Sequence, residues 1–178
     1  LPSFPPTLAH GKASLDICEV KENEVVDKVT GISFPIHRSF PYAGKNKDFS
    51  LMGAGPRRKN LFVVEVSVYS VGLYVESAHL GKLKGFKGKN AEDLSKEKGY
   101  YALLTKEKSG MNRALELVFA RAVPAGKVVE ALSALEGVEE KTLTDFKRTL
   151  LAAIGTSAGK GETITLAWTV SARGGEGR

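Results

Sequence analysis

Alternating hydrophobic and polar positions predict β-structure over much of the first half of the chain. The strongest pattern covers residues 61–76, where β-branched and aromatic side chains dominate and both faces are largely apolar. Such a run predicts one long strand that is buried on both sides. Weaker alternation predicts strands within residues 14–20 and 24–34, and a short strand at 49–53 that ends at glycines. The stretch 37–48, with proline, glycine and several lysines, has the composition of a loop.

The second half of the chain combines strands with amphipathic helices. Asn90 has the character of a helix cap, and alternation over residues 115–123 and 164–170 predicts two more strands. Apolar positions recur at helical spacing between Pro124 and Gly137, and again over residues 143–154. The order of strands, helix, strand, two helices and strand predicts an α+β domain.

The chain of 178 residues has the length of one domain. Residues 1–13 contain three prolines, which predicts a flexible lead-in before a single domain over residues 14–170. Residues 171–178 form a Gly-rich tail, so no further strand follows to cover the outer edge of the last one. This arrangement predicts a domain that is truncated at its C-terminus.

Composition excludes several classes of function. The net charge is +6, but the basic residues are spread along the chain and accompany no nucleic-acid motif, so we expect no nucleic-acid partner. Cys18 is the single cysteine, which excludes an internal disulfide, and the three histidines lack metal-ligand spacing. No apolar run approaches about 18 residues, so stable membrane insertion is not expected. Phosphate loops, dinucleotide fingerprints and nucleophile elbows are absent, and no cofactor is predicted.

Three sequence blocks resemble a known family. LMGAGPRRK at residues 51–59 has a glycine pair followed by an arginine and further basic residues, and VYSVGLYVE at 68–76 contains Tyr-x-x-Gly-x-Tyr in an apolar strand. With the late strand GETITLAW at 161–168, these blocks resemble the chalcone-isomerase fold family. Within the family, the match is to the fatty-acid-binding proteins of plants and algae. Pro56 departs from the bulky apolar residue that usually precedes the arginine.

The resemblance implies an open-faced antiparallel sheet packed against a layer of helices, with the family's C-terminal strand and helices lacking here. It implies that Arg57 projects into a ligand cleft. It also places Tyr69 where true isomerases have threonine and the fatty-acid-binding branch has tyrosine. The implied function is non-catalytic binding of a free fatty acid, with the carboxylate held by Arg57 and Tyr69, in a monomer of the chloroplast stroma.

The chemistry of this pair of residues suits a fatty acid. Arginine offers a planar fork of donors to a carboxylate, and a phenol hydroxyl adds one more. Burying roughly ten methylenes supplies about 8 kcal/mol, against about 4 kcal/mol for a partly buried charge pair before desolvation. We therefore expect the tail to dominate affinity and Arg57 to select the head group. Because twelve extended residues span about 40 Å, the chain must bend to bring Arg57 and Tyr69 to one ligand.

The catalytic set of the family's isomerases is missing. Those enzymes also use a tyrosine, a lysine and an asparagine on the helix after the second long strand, and the resemblance aligns these with Val128, Ala131 and Leu135. No tyrosine or asparagine occurs after Asn112, so no shift of register restores them. The predicted apolar lining of the cleft is Val68, Val71, Val128, Ala131, Leu132 and Leu135.

Other hypotheses stay open at this point. The chain could be a divergent chalcone isomerase, which is an intramolecular lyase. It could also be a non-catalytic accessory module that binds a partner protein. Arg57 could lie in a solvated turn, and Tyr69 could be a packed core aromatic with a satisfied hydroxyl.

Overall fold

The structure is a computed structural model. The predicted lead-in at residues 1–13, the cap at Asn90 and the tail at 171–178 lie outside the residues it describes. The described ranges are residues 17–42, 44–61, 64–89, 91–105, 109–135 and 137–168.

The strands form antiparallel sheets. β1, β2 and β3 make a small sheet, and the main sheet has the order β10-β7-β6-β5-β4. β8 and β9 pair with each other. In chain order, the strands of the described residues are β1 (Cys18–Val20), β2 (Glu24–Asp27), β3 (Ser33–Pro35), β4 (His37–Tyr42), β5 (Lys45–Leu61), β6 (Val64–Glu76), β7 (Arg113–Phe119), β8 (Val123–Pro124), β9 (Ser157–Ala158) and β10 (Thr163–Trp168).

Helices follow β6 and β8 in the chain. The last of them ends at Gly155, whose φ of 74° suits glycine, as the periodicity predicts. The α+β prediction is therefore confirmed. The helical elements are a 3₁₀ segment (Ser77–Phe86), α1 (Ala91–Lys96), α2 (Lys98–Thr105), α3 (Ala125–Leu132) and α4 (Glu140–Ile154).

The main sheet is covered on both faces. On its back face, Tyr74 is fully buried in a cluster with Phe34 of the small sheet, and its hydroxyl donates to the Pro35 carbonyl. On its front face, one cluster forms around Val75 beneath the 3₁₀ segment and α2, and a second forms around Phe119 beneath α3 and α4. Between these clusters, β5 and β6 line a cavity on the front face.

Two sequence-based boundaries are wrong. Residues 37–48 form β4 and the beginning of β5. Pro41 is tolerated because β4 is an edge strand, and Lys45 and Lys47 are tolerated because this part of β5 extends beyond its ladder with β6, which begins at Phe49. Residues 61–76 are not a single strand, since Leu61 ends β5 and Val64, its partner in the ladder, begins β6. Gly53 and Gly55 therefore lie inside a long strand and do not terminate a short one.

Two buried glutamates of the main sheet experience opposite environments. Glu116 lies on the back face, where burial raises the pKa of its carboxyl although the Arg38 guanidinium is 2.7 Å away. For Glu76, burial alone would raise the pKa. Hydrogen bonds donated by Asn112 and Lys47, with the Lys47 charge, instead bring it below its usual value.

Candidate functional site

Arg57 and Tyr69 are cross-strand neighbours. They are direct partners in the antiparallel ladder of β5 and β6. This pairing places their Cα atoms about 4.5–5.5 Å apart and their side chains on the same face of the sheet. The two residues meet because consecutive strands pair as a hairpin, and no bend within a single strand is needed. We call Arg57 and Tyr69 the anchor pair.

A β-bulge adjoins the anchor pair. The next residues in register are Arg58 and Ser67, which leaves Val68 as the extra residue of β6. The Val68 carbonyl accepts a hydrogen bond of 3.0 Å from the Ala120 N–H. A bulge at one end of a pair increases the local twist and re-aims neighbouring side chains, so it helps to set the direction of Tyr69.

An apolar cavity of about 520 Å³ lies on the front face beside the anchor pair. Its floor is formed by β5 and β6, and its wall by α2. Arg57 and Tyr69 lie at one end of this floor, as the pairing of β5 with β6 shows. Met52 lies at the other end and packs against the buried cluster of Val75. We call this cavity the cleft; its lining residues are Met52, Gly53, Ala54, Gly55, Pro56, Arg57, Tyr69, Val71, Leu73, Tyr100, Tyr101 and Leu104.

The polar groups of the anchor pair are available to a ligand. Within the described part of the chain, no carboxylate lies within ion-pair distance of Arg57, whose side chain is exposed. The Tyr69 ring packs edge-to-face on Phe119 at 5.6 Å, and its hydroxyl has no hydrogen-bond partner among those residues. Partner-free donors at one end of an apolar cavity suit an anionic head group with an alkyl tail.

The wall of the cleft is an aromatic face of α2. Tyr100 packs edge-to-face on Phe86 at 5.4 Å, and burial raises the pKa of its hydroxyl. Tyr101 also lines the cleft but is 47% exposed. The buried Arg113 of β7 donates a hydrogen bond to the Leu104 carbonyl near the end of α2. This bond ties the wall to the sheet and satisfies a carbonyl that the helix leaves open.

The predicted apolar lining matches the cleft only at Val71. Val128 is buried in the cluster of Phe119 and Ala158, and Leu132 packs against that cluster behind Tyr69. Ala131 is exposed, and Leu135 lies beyond the end of α3 with 53% exposure. The lining helix is thus α2, because it covers the part of the front face that β5 and β6 provide.

Sequence reasoning missed the glycine floor and the aromatic wall. The signal for the wall was present, since Leu104 follows Tyr100 by four residues and Tyr101 by three, which makes it a neighbour of both on the surface of α2. The signal for the floor was the hairpin register, which opposes Gly55 to Val71 and Gly53 to Leu73. A single strand over residues 61–76 conceals this register, because it leaves β5 without β6 as its partner.

The described residues contain neither a candidate metal site nor a candidate membrane-spanning helix. Over these ranges, no group of three or more histidine, cysteine, aspartate or glutamate side chains is placed to hold a metal ion. None of the helices in the same ranges combines the length and apolarity that crossing a membrane requires.

Comparison with known proteins identifies the fold. No protein-family model and no curated protein sequence matches the chain. Among solved structures, it is similar to a fatty-acid-binding protein of Arabidopsis thaliana, which has the chalcone-isomerase fold. The TM-score is 0.60 at 22% sequence identity, and the match covers 81% of this chain and 72% of the other. The chain therefore has the chalcone-isomerase fold.

Proposed function

We propose that this protein binds free fatty acids without transforming them. The observation that carries the proposal is the anchor pair, whose guanidinium and phenol have no protein partner in the described structure and lie at one end of an apolar cleft. The carboxylate would bind between Arg57 and Tyr69, and the alkyl tail would lie over the floor of β5 and β6. The similar Arabidopsis protein is itself named for fatty-acid binding, which supports this choice of ligand.

The energetics favour the tail as the main source of affinity. An alkyl chain that buries roughly ten methylenes gains about 8 kcal/mol before the entropy of association is subtracted. Arg57 is exposed, so its ion pair with a carboxylate is screened by water and contributes less than a buried pair. The anchor pair would then select and orient the head group.

A non-catalytic role agrees with the chemistry of the cleft. None of the cleft-lining residues of the structure is a histidine, lysine, aspartate or glutamate that would serve as a general base. The positions that the resemblance aligns with the isomerases' polar helix hold Val128, Ala131 and Leu135, and none of them lines the cleft. We therefore propose a binding protein.

Titration calorimetry with dodecanoic acid and dodecanol tests the proposal directly. We expect the wild-type protein to bind the acid more tightly than the alcohol, and lipid extraction of freshly purified protein to yield free fatty acids by mass spectrometry. Equal affinity for acid and alcohol would contradict the proposed role of the anchor pair in binding the carboxylate. Absence of any binding of dodecanoic acid would remove the proposed function.

Two biological features follow from the family resemblance as proposals. One is a location in the chloroplast stroma, which imaging of the full-length protein fused to a fluorescent protein in plant or algal cells would test. The other is a monomeric state, which size-exclusion chromatography with light scattering would test.

A further inference from the structure

Gly53 and Gly55 lie in the floor of the cleft; Gly53 follows a β-bulge at Met52, whereas Gly55 lies in the regular part of the ladder. Neither has a positive φ, unlike Gly31 or Gly155. Glycine inside a strand lowers stability, because it has no side chain to pack and loses the most backbone entropy on folding. The bulge does not account for Gly55, and both glycines line the cleft, which suggests a purpose there.

The space above these two glycines is empty. A Cβ atom built on Gly53 or Gly55 meets no heavy atom within 4 Å, although both residues line the cleft. Gly72 in β6 is the contrast, because its Cβ would lie 2.6 Å from the Phe34 ring on the back face. Gly72 is thus required by core packing, whereas Gly53 and Gly55 leave room on the side that faces the cleft.

The two glycines lie at different distances from Arg57 along the floor of the cleft, and so beside different carbons of a bound acyl chain. With a rise of about 3.4 Å per residue, Gly55 lies about 7 Å from Arg57 along β5 and Gly53 about 14 Å. Carbon–carbon bonds of about 1.5 Å in a zigzag advance about 1.25 Å each, so these depths match roughly the fifth and the eleventh carbon of an extended chain. Beyond Gly53, Met52 packs against the buried cluster of Val75 and closes the floor.

We infer that Gly53 and Gly55 determine the length of acyl chain that the cleft accepts, with Gly53 making room for the far end of a medium-length chain. This inference rests on the proposed fatty-acid binding. A side chain at position 53 would obstruct only the longer acids, whereas one at position 55 would obstruct the tail of nearly every acid.

The test is a titration of hexanoic, octanoic, dodecanoic and hexadecanoic acid against Gly53→Leu, Gly55→Leu and the wild-type protein. Gly126→Leu is the matched control, because Gly126 is exposed on α3, away from the cleft, and a Cβ there also meets nothing within 4 Å. We expect Gly53→Leu to weaken dodecanoic and hexadecanoic acid about tenfold or more while octanoic acid is little changed. Gly55→Leu should weaken all but the shortest acid, and Gly126→Leu should weaken none.

Thermal unfolding separates this effect from loss of structure. Since both glycines have open space above them, the two cleft variants should unfold at the wild-type temperature or above it. If the wild-type protein binds acids but the Gly53→Leu variant keeps the same preference for length, the inference is wrong and the proposed function stands. If the wild-type protein binds none of the four acids, both are wrong.

Discussion

The Arg57 and Tyr69 side chains leave adjacent strands from one cross-strand pair, and the bulge at Val68 begins immediately beyond it. This relationship fixes the positions of the two Cα atoms through the backbone hydrogen bonds of the ladder, so both side chains start from neighbouring points on one face of the sheet. The cleft therefore has a polar end whose geometry the sheet itself defines. Its apolar end is defined by the packing of Met52.

Substitution of the anchor pair should affect acids and not alcohols. Arg57→Ala removes hydrogen bonds to a charged group that solvent screens, so we expect a loss of about 1–2 kcal/mol, or roughly fivefold to thirtyfold weaker binding of dodecanoic acid. Tyr69→Phe should cost about 1 kcal/mol or less, because the ring still packs on Phe119. Calorimetry with dodecanol provides the control. The anchor role would be refuted if acid and alcohol lost the same affinity on Arg57→Ala.

The protein should not cyclise chalcones above the spontaneous rate. The family resemblance aligns apolar residues with the polar helix positions of the isomerases, and Tyr69 with their threonine. Absorbance assays of chalcone consumption, run with and without protein, measure this directly. A rate enhancement of about a hundredfold, small for an enzyme, would already contradict the non-catalytic proposal.

The wall of the cleft should matter for affinity, and the far end of α3 should not. Tyr101→Ala removes a partly exposed aromatic ring from the apolar lining and should weaken the binding of dodecanoic acid by about 1 kcal/mol, near fivefold. Leu135→Ala removes a similarly exposed apolar side chain outside the cleft and should leave the dissociation constant unchanged. Titrations of the two variants side by side distinguish α2 from α3 as the lining helix, and the opposite ranking would favour α3.

The two buried glutamates should give stability profiles of opposite slope with pH. Because the folded pKa of Glu116 is raised, its contribution is present below the unfolded pKa of about 4.3 and is lost as pH rises through the folded value. The folded pKa of Glu76 is lowered, so its contribution is present above the unfolded pKa and is lost as pH falls through the folded value.

Urea unfolding between about pH 4 and pH 7 tests this contrast. The measured quantity is the free energy of unfolding of each variant minus that of the wild-type protein. As the pH rises over this window, this difference should increase for Glu116→Gln and decrease for Glu76→Gln. Each variant serves as the control for the other, since both exchange a buried carboxylate for an amide. Parallel slopes for the two variants would contradict the assignment.

The sequence predicted the class of the fold better than its register. Alternation at 115–123 and 164–170 marked β7 and β10 because each has one apolar face toward the helices. It failed at residues 37–48, because the edge strand β4 accepts a proline, and the start of β5 accepts lysines where it extends beyond its ladder with β6. Similarly, Arg57 and Tyr69 could be named from a motif. That they are direct partners depends on a hairpin between residues 61 and 64, which periodicity within one strand does not reveal.

The lining of the cleft was the least predictable part. Val128 and Leu132 have the helical spacing of buried residues, and they are buried or partly buried, but in the cluster behind Tyr69. Amphipathic spacing shows that a helix packs on one side, not which part of a sheet it covers. The choice of α2 over α3 arises from tertiary geometry alone.

The hairpin that holds the anchor pair also has a consequence for folding. Arg57 and Tyr69 are twelve residues apart in sequence, whereas Tyr101 of the wall follows Tyr69 by a further 32 residues. Closing a short loop costs little chain entropy, and isolated hairpins form in about 1–10 μs, so the anchor pair belongs to the most local contacts of the sheet. We also expect hydrogen exchange to show the amides of α2, a helix of eight residues, opening at lower free energy than those around Arg57 and Tyr69, which lie within the long ladder of β5 and β6. The head-group site would then outlast the wall during partial unfolding, and a bound acid would stabilise α2 more than the hairpin.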